Sequence, residues 1–209
     1  SLGHGLHQNH SRHHRVLGKV PLKEEVLLRK GSGGNTPLFV GTDNLVHKQE
    51  WLAVRGLLKE MLGEEKSIAY LPSGKPYLED GSMHVSFSHT HGYVAVALHP
   101  SAEVGVDIEQ YGTRVRRGAS RFIREDEKVS IASGDEIVGL LLHWSAKETM
   151  FKLMEEEAVD FLEHMRIFPF TLQESGQMEA QEFRSPKEQK FLIHYDTHPD
   201  YVLTFACLD

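Results

Sequence analysis

In the pentapeptide Gly105-Val106-Asp107-Ile108-Glu109 an apolar strand segment ends in two carboxylates at positions i and i+2. Alternation along a strand turns both toward the same face, and neighbouring carboxylates repel each other unless a cation stands between or beside them. A fold containing this strand must either let both acids run into solvent or gather counter-charge against them. Hard divalent ions such as magnesium take oxygen ligands, commonly one or two carboxylates completed by phosphate oxygens and water. Taken alone, the pentapeptide fits an acidic turn at a strand end as well as it fits a metal site.

A second segment, Trp144-Ser145-Ala146-Lys147-Glu148-Thr149-Met150-Phe151-Lys152, falls in a helix predicted over residues 139–154, with Leu140, Leu141, Trp144 and Phe151 on a broad apolar face. Trp144, Glu148 and Lys152 follow one another at i, i+4 and i+8 and share a face, with Lys147 beside Glu148. Glu148 can then reach the same cation as Asp107 and Glu109 while Lys152 points at an anion. By itself Glu148 with Lys152 is an ordinary surface pair, and Trp144 a core residue.

The rest of the chain alternates strands with helices. A helical period over residues 48–62 (Trp51, Leu52, Leu58, Met61, Leu62) stops at Gly63. Gly74-Lys75-Pro76 marks a turn. Val85, Phe87 and the run 93–98 give two strands joined at His91-Gly92, and residues 103–109 give another. A helix is expected near 121–131, and strands at 166–172, 191–195 and 201–207. The stretch 88–94 resembles 195–202, as if one hairpin were used twice, each copy after a helix of its own half. The expected fold is α+β, with two pseudo-equivalent lobes, each a small antiparallel sheet packed against a long helix, and a cleft between them. The boundaries are 1–43, a His- and Gly-rich segment of little information; 44–102, the first lobe; and 103–209, the second. His4, His7, His10, His13 and His14 crowd the first of these, but nothing sets their geometry and no functional metal site is expected there.

Composition narrows the function. Of 209 residues 40% are hydrophobic, enough for a real core. Thirty acidic side chains against 23 basic ones leave a net charge of -7, which argues against nucleic acid as a partner. Cys207 is the single cysteine, so no internal disulfide or cysteine-rich zinc site can form. No apolar run suits a bilayer or a signal peptide. A cytoplasmic protein with no membrane partner is expected.

Together the two acidic segments make a pattern, an apolar strand ending Gly-x-Asp-x-Glu and, downstream, Trp-x-x-Lys-Glu-x-x-x-Lys. In this pattern the chain resembles the 4'-phosphopantetheinyl transferase superfamily, specifically its larger class with two lobes in one chain. Gly74-Lys75-Pro76, Phe87-Ser88-His89 before a strand, and Arg121-Phe122 leading to Glu125-Asp126-Glu127 agree in order. The resemblance covers residues 48–207. It implies transfer of the phosphopantetheine arm of coenzyme A to a serine of an apo acyl or peptidyl carrier protein, in the manner of a holo-[acyl-carrier-protein] synthase, leaving 3',5'-ADP.

Carried over residue by residue, the resemblance implies that Asp107, Glu109 and Glu148 bind magnesium, with manganese a partial substitute. Glu148 acts as or orients the base, and Lys152 meets the pyrophosphate. Ser88 and His89 hold the 3'-phosphate and ribose region, Lys75 and Pro76 border the adenine, and Lys147, Lys48 and Arg55 complete the coenzyme contacts. Such chemistry needs positioning and charge neutralisation more than a covalent nucleophile. Arg114, Arg116, Arg117, Arg121 and Arg124 make a basic cluster, expected to meet an acidic carrier protein. The protein is expected to be a monomer. Two departures stand out: the first forty residues do not resemble the family's usual lead-in, and Glu155-Glu156-Glu157-Ala158-Val159-Asp160 replaces a glycine-containing turn. The competing readings are a module that binds coenzyme A or a carrier without transfer, and a magnesium-dependent nucleotide phosphohydrolase.

Overall fold

A computed structural model describes residues 38–41 and 48–208 of the chain. The N-terminal histidines and the Gly31–Pro37 stretch lie outside the described residues, as does the side chain of Lys48. Strand β1 (Leu38–Gly41) precedes helix α1 (Lys48–Leu62). The helix ends where expected: Gly63 takes a positive φ of 75° and its N–H reaches Lys59 O at 2.8 Å. Its inner face differs from the expected one. Val54, Leu57 and Leu58 are buried, whereas Trp51 and Leu52 face outward.

The two-stranded hairpin β2 (Ile68–Tyr70) and β3 (Pro76–Leu78) brackets the Gly74 turn. Next come β4 (His84–Thr90) and β5 (Tyr93–His99), turning at Gly92 (φ 80°). With β1 they form an antiparallel sheet ordered β1-β5-β4. The apolar run of β5 has a simple cause, burial on both faces. Val94, Val96 and Leu98 pack toward α1, while Ala95 and Ala97 pack into a second cluster with Val104, Val106 and Ile108 of β6 (Glu103–Gln110).

Between β6 and the next helix the chain departs from the expected α-helix near 121–131. It forms 3-10 helices over Thr113–Arg121 and Glu125–Glu127, and only one α-turn, α2 (Lys128–Ile131). Thr113–Arg121 buries none of its residues, so no apolar stripe exists to support a longer helix. Helix α3 (Glu136–Leu153) is capped by Asp135, whose carboxylate accepts the Val138 N–H at 3.0 Å. It covers the large sheet β6-β10-β9-β8-β7, all antiparallel, made with β7 (Met165–Ile167), β8 (Ser175–Glu182), β9 (Lys190–Thr197) and β10 (Tyr201–Leu208).

The strand expected over 166–172 stops at Ile167. Pro169 can donate nothing to a ladder, and the N–H groups of Phe170 and Leu172 go to the Ser130 and Ser133 hydroxyls instead. Strand β8 was not expected, because only Met178 and Ala180 carry its apolar face. The molecule is thus a mixed α+β structure with helix-backed antiparallel sheets. Among the described residues no helix is long and apolar enough to cross a membrane.

Candidate active site

Strand β6 sorts its side chains by face. Val104, Val106 and Ile108 enter the cluster shared with β5 and β10, so alternation sends Gly105, Asp107 and Glu109 to the opposite side, toward α3. The helix can come close because position 105 has no side chain: a Cβ there would stand 2.9 Å from Thr149 O and 3.0 Å from Leu153 Cγ. A seam of buried hydroxyls holds the contact. Ser145 Oγ and Thr149 Oγ1 meet Thr204 Oγ1 of β10 at 2.8 and 2.7 Å, and Ser145 Oγ donates to Asp107 O at 3.3 Å.

On this seam the two acidic segments meet. Lys152 Nζ donates to Val106 O at 2.7 Å and to Asp107 Oδ1 at 3.1 Å. Ser88 Oγ, from β4, donates to the same Oδ1 at 3.0 Å. Asp107 is 4% exposed, and its Oδ2 is buried without a hydrogen-bond partner. Glu109 Oε1 accepts the indole N–H of Trp144 at 2.8 Å. Burial, then the charge of Asp107 and more weakly that of Glu148, push the Glu109 carboxyl up to about 7, against the Trp144 hydrogen bond. Burial and then Asp107 likewise raise Glu148. The three carboxylates therefore feel one another, although among the described residues no three His, Cys, Asp or Glu side chains stand arranged to hold an ion. Lys152 draws Asp107 one way and Trp144 draws Glu109 another.

A family comparison decides what this strand and helix belong to. Residues 103–206, which contain both segments, match the model of the 4'-phosphopantetheinyl transferase superfamily. The chain belongs to this superfamily. Among curated proteins the comparison found no match.

The other expected contact residues of this phosphopantetheinyl transferase family member are dispersed. Lys75 forms an ion pair with Glu103 at the start of β6, Pro76 opens β3 half-buried, and His89 is exposed near the end of β4. Arg55 stacks its guanidinium over the Trp51 ring, 4.5 Å from the centroid. Lys147, also expected among the coenzyme contacts, points into the interior and not along the seam. It is 0% exposed, and its ammonium donates to Glu127 Oε2 at 2.9 Å, to Phe161 O at 3.1 Å and to Phe122 O. All three protons of the ammonium are spent inside the protein. The carbonyls it holds belong to the residues whose rings pack on Trp144, Phe122 at 5.1 Å and Phe161 at 5.3 Å.

Sequence reasoning did not find Glu127, Ser86, Thr90 or the Ser145-Thr149-Thr204 seam. For Glu127 nothing separates the one buried acid from its exposed neighbours Glu125 and Asp126. For β4 a signal existed, since Ser86, Ser88 and Thr90 recur with the period of a strand. Their hydroxyls accept the N–H groups of Val106, Ile108 and Gln110 at 3.1, 3.1 and 3.2 Å. These hydroxyls cap the edge of β6 that faces away from β10.

Proposed function

We propose that the protein transfers 4'-phosphopantetheine from coenzyme A to a serine of an apo acyl or peptidyl carrier protein, as a holo-[acyl-carrier-protein] synthase. The observation that carries this reading is the meeting of β6 and α3, which brings Asp107, Glu109, Glu148 and Lys152 onto one seam inside the span that matches the family. In the reaction a bond forms between the serine oxygen and the β-phosphorus of coenzyme A. The bond from that phosphorus to 3',5'-ADP breaks, and the electron pair leaves with the nucleotide. Glu148, whose carboxyl is raised by burial and by Asp107, takes the serine proton. Lys152 neutralises charge on the pyrophosphate.

The donor chemistry of these residues suits a magnesium ion, although their side chains do not converge on one point in this structure. The donor set is all oxygen, Asp107 Oδ2 is a buried acceptor with no donor, and the mutual repulsion of the acids is of the kind a cation relieves. Asp107, Glu109 and Glu148 would hold it. Once bound, it supplies charge neutralisation and orientation to the pyrophosphate oxygens.

Coenzyme A would lie against His89, Lys75 and Pro76, with Arg55 and Lys48 as further phosphate contacts. The exposed arginines Arg114, Arg117 and Arg121 would face the carrier, while Arg116 pairs with Glu136 and the half-buried Arg124 donates to Leu162 O. We also read the chain as a cytoplasmic monomer of the two-lobe class, residues 44–102 and 103–209. The two hairpin tips meet, Tyr93 Oη donating to Asp200 Oδ2 at 2.7 Å, which supports that reading.

The test is to incubate the protein with coenzyme A, magnesium and an apo carrier protein and to weigh the carrier. A gain of one phosphopantetheine is expected. Coenzyme A bound with no gain in mass, or consumed without the carrier, would sink the proposal.

A further inference from the structure

Residues 168–172 lead away from β7 against α2 and α3, and side chains hold them down where a strand ladder would otherwise do so. The Phe170 N–H donates to Ser130 Oγ and the Leu172 N–H to Ser133 Oγ, both at 3.0 Å. Leu172 lies so close to the turn before α3 that a Cβ at Gly134 would stand 2.5 Å from its Cδ2. The Phe170 ring sits between the Tyr195 ring of β9 and the imidazole of His143, each at 5.6 Å. This segment is a strap, and what it covers is a histidine that takes no part in the proposed transfer.

His143 is 0% exposed. Its Nδ1 lies 2.8 Å from Gly139 O, and a carbonyl only accepts, so Nδ1 carries the ring proton. Nε2 then holds a lone pair, buried with no hydrogen-bond partner. Two charged groups face the ring, Glu127 from the 3-10 turn before α2 and Lys147 from the next turn of α3, and they are paired with each other at 2.9 Å. Tyr195, behind Phe170, stays neutral because burial raises its hydroxyl. Burial dominates and holds the imidazole below its ordinary 6.5, against the Gly139 bond and the charge of Glu127. A ring kept neutral by its cover gains a proton once the cover lifts. We propose that residues 168–172 form an acid-sensitive strap: when Phe170 moves off His143, Nε2 takes a proton from water, and the cost of burying the charged ring keeps the strap from reclosing. The closed form excludes this proton and the open form binds it. Closure is therefore favoured in full above about pH 6.5 and loses ground as pH falls below that value.

The test measures amide hydrogen exchange on the full chain, because such exchange reports local opening. Protection is the slowing of exchange relative to an unstructured peptide. At the Phe170 and Leu172 amides it should fall about tenfold from about pH 6 to about pH 5, one proton being bound per opening. The amides of β10, which report global unfolding, should not share that fall. His143→Phe, and His143→Asn as a variant that keeps a donor beside Gly139 O, should each hold the two strap amides flat over the same range. In the wild type, with no variant needed, nitrogen NMR of the labelled imidazole should show His143 as the neutral Nδ1–H form at about pH 6. No fall in the wild type, the same fall in either folded variant, an equal fall in β10, or an imidazolium in the NMR measurement would each overturn the proposal.

Discussion

The three carboxylates of the site are held in unequal ways. Asp107 has one oxygen bonded twice and one not at all, Glu109 leans on an indole, and Glu148 is raised by burial and by Asp107. Glu109 and Glu148 are less comfortable as anions here than they would be in water, a state common at functional sites. Removing one charge should therefore cost function without costing the fold. For Glu148→Gln we expect transfer to fall by at least about 100-fold, the range of a lost general base, with a Tm equal to or above that of the wild type. Asp107→Asn should behave alike in activity. Product formation measured by carrier mass, beside a thermal melt, checks both; activity within a few-fold of wild type in either variant would refute the assignment.

At the scale of elements the site depends on how near α3 lies to β6, and Gly105 controls that distance. A methyl at position 105 would press on Thr149 O and on Leu153. Overpacking of this kind costs about 1–3 kcal/mol, and the strain acts where Lys152 reaches Asp107. Gly105→Ala should thus lower both Tm and transfer, whereas Gly112→Ala, where a Cβ meets nothing within 4 Å, should not alter packing; equal behaviour of the two would disprove the account. A second element rests on one acid. Glu182, 1% exposed at the end of β8, accepts the N–H groups of Arg184, Ser185 and Gln189 at 2.7, 2.8 and 2.9 Å, so it organises the turn into β9. Burial works to raise its carboxyl, and the hydrogen bonds, from Ser185 first, outweigh burial and leave it below the ordinary 4.5. A depressed folded-state value means that the unfolded chain binds the proton more readily, so this stability is present above about pH 4.5 and is lost as pH falls below it. Glu182→Gln should cost about 1–3 kcal/mol at neutral pH and flatten the acid limb of stability measured by urea unfolding. An acid limb unchanged in the variant would show that the turn does not depend on the charge.

Over the whole molecule the basic cluster separates into two kinds of residue. Arg116 pairs with Glu136 at the surface and the half-buried Arg124 donates to Leu162 O, while Arg114, Arg117 and Arg121 are exposed along a 3-10 helix. That helix leads into Phe122, whose ring packs on Trp144, the residue that holds Glu109. Charge at such a place changes encounter rates and partner choice more than final affinity. Arg117→Glu with Arg121→Glu should raise the apparent KM for an acidic carrier protein, weaken the salt dependence of the reaction and leave coenzyme A affinity nearly unchanged. Carrier kinetics at low salt equal to those of the wild type would show that these arginines face away from the partner.

Local chemistry was enough for α1 and its Gly63 stop, for the β4–β5 hairpin, for β6 and for most of α3, because each follows from a period or a cap within a few residues. The same local order exposed the acid pair at 107 and 109 and the Glu148–Lys152 face, whose membership in one family the match over residues 103–206 establishes. What no local pattern contains is which side chain meets which across the fold. Lys147 reads as a neighbour of Glu148, yet helical rotation turns it into the interior, where Glu127 and two carbonyls absorb its charge. Trp51 and Leu52 read as core and lie outside, since the sheet meets α1 on Val54, Leu57 and Leu58. Ser88 reads as a polar residue near a strand end, and only the docking of β4 along β6 sets its hydroxyl against Asp107. The strand expected after Arg166 ends early because Pro169 and the Ser130 and Ser133 hydroxyls redirect its backbone. Period and capping are encoded within a few residues, whereas the partner of a buried charge or hydroxyl is decided only when distant segments close on one another.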